Sequence, residues 1–87
     1  MKVRTKDEFE VEVIDNAFDN MEAVDALVEM DEGNPLAITK ITSILFTKEE
    51  KKKVYDHLRN EEGRVTLVSF IPFVTEIMTL MGENEKK

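Results

Sequence analysis

Hydrophobic and polar positions alternate at the start of the chain, with Phe9, Val11 and Val13 facing one way and Glu8, Glu10 and Glu12 the other. That is the period of a half-buried strand. Lys2 to Thr5 supplies a short partner strand, so a hairpin turning at Lys6-Asp7 is expected, although neither residue favours the positive φ of the tightest hairpin turns. A single hairpin is marginal alone in water. This one therefore has to pack on helices or pair with a strand of another copy.

After a loop from Asp15 to Asn20 the period changes to 3.6 residues. Asp19 is an N-cap candidate with Glu22 three residues on, and a helix is expected from about Asn20 to Glu32. Met21, Val24, Leu27 and Val28 make its apolar face, with Ala23 and Met30 at the edge. Glu22, Asp25, Glu29 and Glu32 form an acidic stripe, in which like charges at i,i+3 and i,i+4 cost a few tenths of a kcal/mol per pair. The stripe reads either as a solvated face or as a docking surface for a basic partner.

Gly33 ends that helix and Asn34-Pro35 starts the next, because Asn caps free N–H groups and Pro suits the first helical position. Asn34 to Phe46 holds a single ionisable side chain, Lys40. Ala37, Ile38, Ile41, Ile44 and Leu45 share one face, and Thr39, Thr42 and Ser43 share the other. So little charge predicts a helix covered on more than one side. Its many β-branched residues also suit a buried strand, but its length and the Asn-Pro start favour helix.

Thr47-Lys48-Glu49-Glu50 is a capping box opening a third helix, whose narrow stripe of Val54, Tyr55 and Leu58 predicts packing by one edge. His57, the sole histidine, falls in its last turn, where a positive charge suits the helix dipole. Asn60 to Arg64 is a polar turn with Gly63 at its left-handed position. The last helix is expected from about Thr66 to Met81. Leu67, Phe70, Ile71, Phe73, Val74, Ile77, Met78, Leu80 and Met81 cover about half its circumference. Pro72 implies either a start near Ser69 or a kink. A domain this small has limited use for so much apolar surface, so Phe73, Ile77, Leu80 and Met81 read either as plain core or as candidates for partner contact or self-association. Gly82 is expected to stop the helix, leaving 83–87 as a charged tail. The expected architecture is mainly α, a small four-helix domain over residues 1–82 with a short N-terminal strand or hairpin.

Composition narrows the function. At 87 residues the chain supports one core and little room for an elaborate active site. It has no cysteine, which removes disulfides, thiolate metal sites and thiol nucleophiles. It also shows no apolar run of about 18 residues and no basic start leading into an apolar segment, so neither a membrane span nor a signal peptide is expected. The net charge of −7 opposes binding to a phosphate backbone. The basic cluster Lys48, Lys51, Lys52, Lys53 is interleaved with Glu49 and Glu50, in the pattern of a solvated helix surface. Nucleic acid is not an expected partner.

Catalytic patterns are missing as well. The sequence has no glycine-rich phosphate loop, no serine elbow and no histidine pair to hold a metal. The stretch from Asp15 fails as a calcium loop, because Asn20 and Ala26 stand where glycine and a bidentate glutamate are needed. No enzyme activity, cofactor or metal is expected. Nor does either serine carry the Asp-Ser-Leu signature of acyl carrier domains.

The order of features resembles the small tail assembly chaperones of long-tailed bacteriophages. The residues that carry the likeness are the strand, the opening Phe18-Asp19-Asn20-Met21-Glu22, a middle helix ending Ile44-Leu45-Phe46, and the junction from Leu58 through Glu61-Glu62-Gly63-Arg64-Val65 into an apolar last helix. Thr47 departs from the pattern, since a glycine often follows the middle helix in that family. The resemblance implies a non-enzymatic protein of the host cytoplasm that holds the tape measure protein soluble until tail tube subunits assemble around it. It also implies that a longer form can arise by frameshifting, for which an adenine-rich run encoding Glu85-Lys86-Lys87 would serve. Two other classes fit the residues: an acidic inhibitor that mimics nucleic acid towards a basic partner, and a structural subunit of a homo-oligomer joined through the N-terminal strand or the last helix.

Overall fold

The computed structural model describes residues 1–85, in the order β1 (Lys2–Arg4), β2 (Glu10–Glu12), α1 (Met21–Asp31), a 3-10 turn (Pro35–Ala37), α2 (Ile38–Leu45), α3 (Lys48–Leu58) and α4 (Leu67–Glu85). The fold is mainly α, four helices with an N-terminal hairpin, as its patterning implies. β1 and β2 pair antiparallel with Val3 opposite Val11. Both valines are buried, so the alternation sends one hairpin face into the core. The turn differs from the tight one expected at Lys6-Asp7. Thr5 N–H donates to the Phe9 carbonyl and Glu8 N–H to the Thr5 carbonyl, and the positive φ of 66° falls on Glu8. A wider loop therefore spares Lys6 and Asp7 the left-handed conformation.

α1 is capped by Asn20, whose side chain accepts from Glu22 N–H at 2.8 Å. The cap stands one residue beyond the expected Asp19. The helix ends in a full Schellman motif, with Gly33 N–H bonded to the Met30 carbonyl and Asn34 N–H to the Glu29 carbonyl. Gly33 takes the φ of +100° that this motif needs. Asn34 then caps the 3-10 turn through Leu36 N–H.

α2 is the element that the others cover. Ile38, Ile41, Thr42 and Leu45 are buried, and Ile14 of the strand extension donates its N–H to the Leu45 carbonyl. Thr42, expected on the polar side, turns inward instead. Its hydroxyl donates to the Ile38 carbonyl at 2.7 Å, which satisfies it locally and lets its methyl pack. Thr47 caps α3 through Glu50 N–H. Glu50 does not complete a reciprocal capping box, because its carboxylate accepts from Glu12 N–H at 2.7 Å and ties β2 to α3.

α4 starts at Leu67, with Thr66 accepting from Ser69 N–H. Pro72 lies inside the helix. The carbonyl it leaves without an i+4 donor belongs to Val68, a residue 86% exposed, where water can serve it. Gly82 does not end the helix, which continues to Glu85. Of the expected charged tail, 83–85 are thus helical, while Lys86 and Lys87 lie outside the described residues.

Candidate partner-binding surfaces

The four apolar residues expected to meet a partner divide unevenly. Phe73, Ile77 and Met81 are buried in the core, whereas Leu80 is half-buried. The correction has a volume argument behind it. α1 contributes mainly alanines to the core and α3 a single fully buried valine, Val54. The bulk that fills the interior must then come from α4. Leu67, expected on the packed face, is 48% exposed.

α1 is where apolar surface remains open. Its apolar residues span more than half a turn, from Ala26 round through Ala23, Met30 and Leu27 to Val24, Val28 and Met21, and one layer of neighbours cannot cover so broad an arc. Ala23 and Ala26 are the buried pair. Their small side chains let α1 approach α2 and the 3-10 turn closely. Met21 is left 70% exposed, Val28 50% and Val24 38%. These three, spaced i, i+3, i+7, form one outward stripe.

The acidic residues frame it. Glu22, Asp25, Asp31 and Glu32 are exposed; on the helical wheel Asp31 borders the stripe on one side and Glu32 and Asp25 on the other. Glu29 is half-buried and pairs with Lys40 of α2 at 3.2 Å, so it is partly neutralised within the fold. The acidic stripe and the open apolar stripe therefore lie side by side on one surface.

His57 has a structural partner that the pattern did not reveal. Its ring stacks on Phe9 with centroids 3.8 Å apart, and Nε2 lies 3.0 Å from an Asp7 carboxylate oxygen. The Thr5 hydroxyl also donates to Asp7. The Thr5 bond first and His57 second hold the Asp7 carboxyl below its ordinary range. The hydroxyl is directed at the carboxylate and not at the imidazole. At the other end of the hairpin the Met1 ammonium donates to Asp15 at 2.6 Å and Glu12 at 2.8 Å, and these two carboxylates raise its pKa.

Among the described residues, no group of three or more histidine, aspartate or glutamate side chains is placed to hold a metal ion. No helix among them is long and apolar enough to cross a membrane. No protein-family model, curated protein or solved structure matches the chain.

Proposed function

We propose that this protein is a non-enzymatic tail assembly chaperone of a long-tailed bacteriophage or prophage, acting in the host cytoplasm on the tape measure protein and helping to recruit tail tube subunits. The observation that carries the reading is the open stripe of Met21, Val24 and Val28, with Asp31 at one margin and Glu32 and Asp25 at the other. A long amphipathic client helix presents an apolar seam edged by charge, and such a stripe matches it when the client's edge is basic. The order of elements and the Leu58 to Val65 junction support the same reading through their resemblance to that family. A net charge of −7 helps keep a complex with an apolar client in solution.

The apolar residues between the acids favour a mixed apolar and ionic partner over pure phosphate mimicry. The test is co-expression of tape measure fragments and tail tube protein with this chain, followed by capture. A fragment retained by the wild type and lost from a folded Val24→Asp/Val28→Asp variant is the expected result. Failure of the folded wild-type protein to retain any tape measure fragment would overturn the proposal.

A further inference from the structure

We infer that the outer edge of β1, together with the groove between it and α4, is a docking site for an extended segment of a partner protein in which acidic and apolar residues alternate. The inference does not depend on the chaperone reading, which rests on α1.

The edge follows from hydrogen-bond phase. Val13 N–H donates to the Met1 carbonyl and Thr5 N–H to the Phe9 carbonyl, and Val3 stands opposite Val11 between them. Residues 1, 3 and 5 thus turn their backbone groups towards β2, and residues 2, 4 and 6 turn theirs away. Among the described residues, the outward N–H and C=O groups of Lys2 and Arg4 have no protein partner. Lys6 N–H has one, and it is a carboxylate: Glu76 of α4 accepts it at 2.7 Å. The opposite edge of the hairpin is partly covered by α3 and the end of α2, since Glu12 N–H goes to Glu50 and Ile14 N–H to the Leu45 carbonyl.

The open edge borders a groove of about 700 Å³ whose walls include Ile71, Pro72, Thr75 and Leu80 on one side and Arg4 and Lys6 on the other. A strand laid along β1 would send alternate side chains down against this apolar wall. The intervening ones would lie on the outer face beside Lys2 and Arg4. The charge required there is negative, and the hairpin already displays the match. β2 places Glu12 opposite Lys2 and Glu10 opposite Arg4 while its valine points inward. A ligand strand repeating the acid–apolar alternation of β2 would complete the same pairing on the other side.

Charge also disfavours the simplest alternative occupant, a second copy. Pairing β1 antiparallel with its copy about Arg4 sets Arg4 against Arg4 and Lys2 against Lys6, and like charges directly opposite are unfavourable. Among the described residues, Arg4 has a long, exposed ion pair with Glu8, at 3.8 Å, to offset this.

The probe is a labelled peptide copying Glu8 to Ile14, with a control carrying lysine at its three glutamate positions. Binding is followed by anisotropy and by amide exchange in the full chain. Expected are binding of the acidic peptide, at least tenfold slower exchange at the Lys2 and Arg4 amides, and at least tenfold weaker binding by Arg4→Glu. Thr79→Glu, at an exposed position on the groove, should weaken binding in the same way and serves if Arg4→Glu perturbs folding. Val24→Asp/Val28→Asp should leave peptide binding unchanged. Equal binding of the lysine peptide, unaltered exchange at Lys2 and Arg4, or a homodimer that buries β1 and refuses the peptide would each overturn the inference.

Discussion

His57 and Asp7 lie fifty positions apart in the chain, yet they hold the hairpin loop against α3 at 3.0 Å, with Phe9 stacked beneath the imidazole. Phe73 approaches Phe9 from the core side with ring centroids 6.1 Å apart, so the loop is linked through one aromatic cluster to α4. The carboxyl of Asp7 is depressed from its ordinary value of 3.8. A depressed carboxyl adds stability that is complete above that ordinary value and is lost as pH falls through the lower folded one. Asp7→Asn should therefore be less stable than the wild type at pH 7, by under about 1 kcal/mol for so exposed a pair. The difference should shrink on acidification below about pH 4. Denaturant titrations at several pH values would check this, and a difference that stays constant down to pH 2 would assign the effect to some other cause.

At the scale of the element, α1 is the instructive case, because its sequence carries two apolar faces and the fold uses the less conspicuous one. Ala26→Leu should then cost about 1–3 kcal/mol by overpacking the contact with α2. Val28→Ser, on the open stripe, should change stability by no more than about 0.5 kcal/mol. Chemical denaturation of the two variants distinguishes the faces, and the reverse ranking would mean that α1 is turned the other way. The hairpin alternation, the Asn34-Pro35 start of the 3-10 turn leading into α2 and the Thr47 cap were all legible in the sequence, since each is written in neighbouring residues. The orientation of α1 was not. A wheel weights large side chains, whereas close approach of two helices selects alanine, and only the neighbour's position decides between them. The same gap left Phe73, Ile77 and Met81 open between core and partner surface. Whether an apolar shoulder is surplus depends on how much core volume the other helices provide, which no single segment states. The opening at β1 was likewise invisible, because which strand edge is covered depends on Glu50 and Leu45, far along the chain.

Across the whole molecule, two kinds of attachment can be told apart. α2 is enclosed by side chains from several elements, and Ile41 and Leu45 are fully buried. The hairpin is joined to the helices by its inward valines, by the Asp7–His57 contact with its Phe9 stack, and by a few further bonds: Ile14 to Leu45, Glu12 to the Glu50 side chain and Lys6 to the Glu76 side chain. Bonds to half-buried carboxylates that water still reaches weaken as salt or acid is added, whereas burial of Ile41 and Leu45 does not respond in that way. The hairpin should therefore open as a unit at lower free energy than the helical core. In native-state amide exchange, the Ile41, Thr42 and Leu45 amides should be the slowest and respond only to global unfolding. Val3, Thr5 and Val13 should form a second, less protected group. The Lys2 and Arg4 amides, turned outward from β1, should exchange almost as in an unfolded chain. Equal protection of the hairpin and α2 would show one cooperative unit. Strong protection at Lys2 and Arg4 in the isolated protein would show that their edge is already covered, by a second copy or by the chain itself.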